Sequence, residues 1–205
     1  MLKEKALVSY MKNFSFHHGY VHMSDLKKNG FHTSEIKNLL DTGELEKVKT
    51  GLYRIVDFPD IKNVSISFID VSHAIKKGVI CLLSALDYHN LTTFNPSEIY
   101  IAIPRDSKAP KINYPPVQFF YFSEKNYTLG IEEVTTKYGT VRIYDKEKSL
   151  CDIFRYRDKL GEDLALEALK MYLKTKDFNI HKLLEYAEIC RVRKILSDYI
   201  KVIIS

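Results

Sequence analysis

The sequence predicts an α+β fold built from two parts. Three observations carry that expectation. Helical patterns precede a glycine-centred pair of strand-like runs within the first 56 residues, proline-punctuated strand-like runs fill the middle, and the chain from Asp145 onward is helical in pattern. The 205 residues are 45% hydrophobic and 28% charged, a balance that suits a globular protein and excludes a disordered chain, a collagenous one and a disulfide scaffold. At about 150 residues per domain, the length predicts one or two domains.

The first 56 residues read as one compact unit. Leu2, Ala6, Leu7, Tyr10 and Met11 recur at helical spacing and predict a first helix ending near Asn13. Ser24 is suited to cap a short second helix carrying Leu26, which Asn29-Gly30 stops. Thr33 or Ser34 starts a third, with Ile36, Leu39 and Leu40 on its inner face and Thr42-Gly43 at its end. Residues 45–49 and 52–56 then flank Thr50-Gly51, a β-hairpin with glycine where the turn needs a permissive backbone. Three helices followed by a hairpin describe a winged helix-turn-helix, domain 1–56.

Asp57-Phe58-Pro59-Asp60 interrupts the pattern, so residues 57–65 are expected to be a linker and 66–205 a second domain. Two helices are predicted there, about Asp70–Lys77 and Val79–His89, divided by Gly78. Strand-like runs follow at Glu98–Ile103, Val117–Phe122, Ile131–Thr136 and Thr140–Tyr144, and helical segments near 146–158, 162–174, 179–188 and 191–203. The whole predicts a small, mostly antiparallel sheet with a C-terminal helical segment. Phe119-Phe120-Tyr121-Phe122 fits a buried central strand better than a base-stacking platform, since no basic residues are interleaved.

Charge is distributed unevenly. Residues 1–56 hold nine basic and six acidic residues, residues 57–144 nine of each, and residues 145–205 thirteen and eleven, so the formal +5 divides as +3, zero and +2. A third helix packed on Ile36, Leu39 and Leu40 turns Ser34, Asn38 and Asp41 outward with Lys37 at the margin; all but the acidic Asp41 are suited to base edges and phosphates. Lys47, Lys49 and Arg54 on the hairpin, with Thr50 at its tip, could follow a phosphate backbone. The plainer reading is a solvated helix and a charged hairpin that keep the domain soluble, or a winged helix used for protein assembly. In the C-terminal segment Lys146, Lys148, Arg155, Arg157 and Lys159 form a basic stretch beside the apolar Leu150, Ile153 and Phe154. They are suited to an acidic partner or to a second nucleic-acid segment, or serve as a solvated face.

Other chemistries find little support. There is no phosphate-binding glycine loop, G-x-S-x-G, HExxH or CxxC, so no catalytic residue is assigned and no enzyme is expected. Asp145, Glu147 and Lys148 resemble the carboxylate–lysine set of a metal-dependent nuclease, but Asp145 is better placed to cap a helix. His17, His18, His22 and His32 cluster without a cysteine or matched carboxylate, so no metal and no cofactor are expected. Cys81, Cys151 and Cys190 sit among apolar neighbours as reduced, buried thiols. The charged N-terminus has no signal-peptide core, and no apolar run approaches the roughly 18 residues of a membrane span, so a cytoplasmic protein without a membrane partner is expected.

Four loose motifs occur in order: Lys49-Thr50-Gly51-Leu52-Tyr53; Leu83-Ser84-Ala85-Leu86-Asp87-Tyr88-His89-Asn90-Leu91-Thr92; Ile101-Ala102-Ile103-Pro104-Arg105; and residues 142–152, from Arg142 to Asp152. Together they resemble the AbiEi family of antitoxins and transcriptional regulators from type IV toxin–antitoxin (abortive-infection) systems. The resemblance spans nearly the whole chain. It implies that the winged helix binds double-stranded DNA at repeats in its own promoter and represses the operon. It further implies that the second domain counters a nucleotidyltransferase-like toxin without forming a stable complex, or that the chain is an orphan regulator without a toxin. On that resemblance Ser34, Lys37, Asn38, Lys47, Lys49 and Arg54 contact DNA, Lys146, Lys148, Arg155 and Arg157 form the effector domain's basic face, and Tyr53, Leu86 and Leu150 are core residues. No coiled-coil heptad dictates a dimer, which leaves a monomer or an assembly formed cooperatively on DNA.

Overall fold

In the computed structural model, residues 19–56, 64–112 and 114–204 are described. The expected first helix, His17, His18 and residues 57–63 of the expected linker lie outside them. The fold is mixed α/β, with a small antiparallel sheet and a C-terminal helical segment. The chain divides into two compact units. The first comprises the described residues up to Lys76 together with Pro110–Pro116 and Thr135–Val141, and the second comprises the remainder.

The first unit holds β1 (Tyr20–His22), α1 (Met23–Lys28), α2 (Thr33–Asp41), β2 (Leu45–Lys49), β3 (Leu52–Ile55) and α3 (Ile66–Ala74). The sheet runs β1-β3-β2, antiparallel throughout. Helix α1 begins one residue before Ser24, so that serine lies inside the helix and does not cap it. At α2 the Glu35 carboxylate accepts the backbone N–H of His32 at 2.8 Å, satisfying a donor at the helix entrance. Ile36 and Leu39 are buried with Val21, Leu26, Leu45, Tyr53 and Ile55, while Leu40 is half-buried at the edge of that core. Gly51 turns the β2–β3 hairpin at φ +81°, a conformation a Cβ would strain. Helix α3 starts four residues earlier than predicted, where the Ser65 side chain accepts from Ser67 N. It belongs to the first unit, whose leading segment runs to Lys76.

The second unit is organised on a five-stranded sheet in the order β6-β5-β4-β8-β7. Its strands are β4 (Val79–Ile80), β5 (Ile99–Pro104), β6 (Val117–Phe122), β7 (Ile131–Thr136) and β8 (Gly139–Tyr144), the β7–β8 turn falling in the first unit. Strands β4 and β5 pair antiparallel, but β5–β6 and β4–β8 run parallel, so this sheet is mixed. Val79-Ile80, expected to open a helix, is instead a two-residue strand between β5 and β8, and α4 (Leu82–Tyr88) starts after it. Strand β6 lies at the sheet edge and not at its centre: Phe120 and Phe122 are buried, whereas Tyr121 is 46% exposed.

Between β6 and β7 runs α5 (Glu124–Tyr127), and after β8 come α6 (Lys146–Arg155), α7 (Arg157–Leu160), α8 (Glu162–Leu173), α9 (Ile180–Cys190) and α10 (Arg193–Ile204). Helix α6 is the hub. Residues 147–154 are all buried, and Leu150, Ile153 and Phe154 pack with Ala165, Leu169 and Tyr172 of α8 and Leu183 and Ala187 of α9. Tyr53 in the first unit and Leu86 and Leu150 in the second are core residues, and all three cysteines are buried and free. No helix among the described residues is long and apolar enough to cross a membrane.

Candidate functional site

Two basic surfaces were expected, and the structure sorts their residues into those that face solvent and those held inside. On α2, Ser34, Lys37 and Asn38 are exposed, opposite buried Ile36 and Leu39. On the hairpin, Lys47 and Thr50 are exposed. The β2–β3 ladder slips between Lys47 and Lys49, a bulge at Val48 that breaks the two-residue alternation and buries the valine. Lys49 is half-buried, and its ammonium donates to the Ala74 carbonyl at 2.8 Å, at the C-terminal end of α3, where a cation suits the helix dipole.

Arg54 corrects the sequence reading. It is only 7% exposed, and its Nε lies 2.8 Å from Asp70 Oδ1, while Nη2 donates to Glu46, its cross-strand partner on β2. The Tyr20 hydroxyl also donates to Asp70, at 2.5 Å. Burial raises the Asp70 pKa even though Tyr20 and Arg54 pull it down, and burial together with the Asp70 charge raises that of Tyr20. Arg54 therefore ties the hairpin to α3 and is not a surface contact. The tyrosine stacks on His73, centroids 3.9 Å apart, and His73 Nε2 is 2.7 Å from the Tyr138 carbonyl.

In the second unit Lys148 is the corresponding correction. It is fully buried in α6, with its ammonium 2.5 Å from Asp152 Oδ2 one turn on. The rings of Tyr144 and Phe122 stand 4.3 and 4.6 Å from that ammonium, so the cation is enclosed by a carboxylate and two aromatic faces. Burial raises the pKa of Asp152, and the lysine opposes that rise. Lys146 is partly exposed and pairs with Asp177 at 2.6 Å. Asp145 caps α6, accepting from Lys148 N at 2.7 Å, and Glu147 accepts from the Tyr172 hydroxyl at 2.6 Å. Lys182 reaches both carboxylates, at 3.0 and 2.9 Å; burial disfavours its charge, but the two acids outweigh burial and raise its pKa. The nuclease-like set is thus consumed in holding α6 to α8 and α9.

Arg155 and Arg157 remain outward. Arg155 is exposed and Arg157 half-buried, its Nη1 donating to the Phe154 carbonyl at 2.9 Å. They line a groove of about 520 Å³ with Arg105, Lys125 and Arg191. Those last three residues come from segments far apart in the sequence, so no local pattern groups them with Arg155 and Arg157. The groove also contains Ser123, Asn126, Ile189 and Val192.

No family model matches the chain, and no curated protein is similar enough to it to count as a match.

Proposed function

We propose that the chain is a DNA-binding transcriptional regulator of the cytoplasm, not an enzyme, whose first unit acts as a winged helix-turn-helix. In this reading α2 is the helix laid in the major groove and the β2–β3 hairpin is the wing. The observation that carries it is the exposed polar set Ser34, Lys37 and Asn38 on α2 together with exposed Lys47 and Thr50 on the hairpin. Ser34, Lys37, Lys47 and Thr50 face solvent, where base edges and phosphates can reach them, whereas Ile36 and Leu39 anchor the helix from behind. Arg54 is excluded from the contact set because its charge is spent on Asp70 and Glu46. Lys49 is set apart from the exposed set as well, its ammonium being tied to the Ala74 carbonyl. The antitoxin role, directed at a nucleotidyltransferase-like toxin without a stable complex, rests on the resemblance to the AbiEi family and on its four ordered motifs.

The test is a footprint and a salt titration on DNA from upstream of the chain's own gene. Binding should be confined to a repeat and should weaken steeply with salt, by about 0.9 log units of affinity per log unit of salt for each phosphate contacted. Lys37→Ala and Lys47→Ala should each flatten that dependence. A tight stoichiometric protein partner with no protected DNA would replace this reading with an assembly module.

A further inference from the structure

We propose that the groove of the second unit binds an oligophosphate, a ligand with two or three closely spaced phosphate groups of the nucleoside-triphosphate class. Five cations from separate segments converge on one concavity: Arg105 after β5, Lys125 on α5, Arg155 at the end of α6, Arg157 on α7 and Arg191 after α9. One acid, Glu188, lies among them, and its carboxylate is turned toward Arg193 at 3.5 Å. No ion pair within the described residues neutralises Arg105, Lys125, Arg155 or Arg191.

That pattern differs from three paired lysines of this unit. Lys146, Lys148 and Lys182 each have a carboxylate within 3.0 Å. Concentrating unpaired like charges costs self-repulsion, which an anion in the groove would relieve. Four of the five cations are arginines, whose planar forks hold phosphate oxygens in pairs. Part of the charge has a simpler use, since Arg157 and Arg155 stand near the C-terminal end of α6 and complement its dipole. Arg105, which lies outside any helix, has no such role. The volume of about 520 Å³ suits one small molecule, and the walls contributed by Ile189 and Val192 can receive an apolar part beside the phosphates. An extended duplex backbone asks instead for a row of cations along a ridge.

The backbone supplies a separate sign. Arg191 holds a left-handed conformation, φ 61° and ψ 38°, at the C-cap of α9, where glycine or asparagine is the unstrained choice. Arginine at that position, among the residues lining this groove, comes at the expense of local strain.

The inference is independent of DNA binding by the first unit. Its test uses the full chain, with ATP, GTP, inorganic tripolyphosphate and a 20-base-pair duplex as probes in titration calorimetry at low and moderate salt. We expect the triphosphates to bind with salt-sensitive affinity. Tripolyphosphate alone should bind if phosphates are the recognised group, and tighter binding of ATP or GTP would assign the apolar walls to the nucleoside. Arg155→Glu and Lys125→Glu should each weaken binding about tenfold or more, while Lys47→Glu on the hairpin should leave it unchanged. Arg191→Gly separates binding from folding: it relieves the left-handed strain, so thermal stability should hold or rise while affinity falls. Absence of binding by all three phosphate probes, indifference to the groove variants, or duplex binding that depends on Arg155 and Lys125 would each overturn the proposal.

Discussion

The two units handle the same problem, a cation inside a protein, by different routes. In the first, Arg54 is neutralised by Asp70, which the chain delivers 16 residues later on α3, and by Glu46 across the hairpin. In the second, Lys148 is neutralised by Asp152 within its own helix and enclosed by Tyr144 and Phe122. The first device fastens two elements together; the second makes a lysine tolerable on the buried stretch of the hub helix. In both units a neighbouring cation stays outside, Lys47 on the hairpin and Arg155 at the end of α6. Basic residues a few positions apart are therefore divided between structure and surface, and composition alone does not divide them.

The widest separation should appear in stability. Lys148→Ala leaves Asp152 charged and buried and should cost about 3–5 kcal/mol in urea unfolding, against less than about 0.5 kcal/mol for Arg155→Ala. Replacing both partners, Lys148→Met with Asp152→Leu, should recover most of the loss, since the pair then leaves no lone charge. A single variant as mild as Arg155→Ala would break the contrast.

Arg54→Ala should cost about 3 kcal/mol, somewhat less than Lys148→Ala because Glu46 is half exposed, while Lys47→Ala should stay within about 0.5 kcal/mol. Equal costs at Arg54 and Lys47 would return Arg54 to the surface set. Gly130→Ala probes the hub from its side. Gly130 has φ +68°, and an added Cβ would meet Lys148 Cβ at 2.8 Å and Asp145 Oδ1 at 2.9 Å, so a loss of about 1–3 kcal/mol is expected by thermal denaturation.

The smallest effect is a pH slope. Burial raises the Asp70 pKa in the folded state above the ordinary carboxylate value of about 3.9. The native protein then holds a proton that the unfolded chain has released, so this group's stabilisation is full below about pH 3.9 and is lost as pH rises through the folded value. Unfolding free energy measured upward from that pH should decline more in the wild type than in Asp70→Asn. Parallel profiles would show that Arg54 and Tyr20 already offset the burial.

Local pattern made much of the fold legible. The strands Val117–Phe122 and Ile131–Thr136 agree with their predicted ends, and Ile36 and Leu39 face inward as the helical period requires. Val79-Ile80 was illegible because two apolar residues carry no period, and their strand pairing depends on β5 and β8. The burial of Lys148 was half legible: the four-residue spacing to Asp152 is in the sequence, but only tertiary packing, with α8 and α9 among its parts, buries residues 147–154 of α6. Arg54 was not legible, since its partner lies on an element expected to belong to another domain. The groove was least legible of all, because Arg105, Lys125 and Arg191 meet through tertiary structure alone.

The central claim is that exposed residues of α2 and the hairpin, and not the inward Arg54, contact DNA. Its most direct test is the salt dependence of affinity for DNA upstream of the gene, compared between the wild type and a Lys37→Ala, Lys47→Ala double variant. The account predicts a slope shallower by about 1.8 log units per log unit of salt, for two lost phosphate contacts, with the fold intact. An unchanged slope and affinity in the double variant would contradict it.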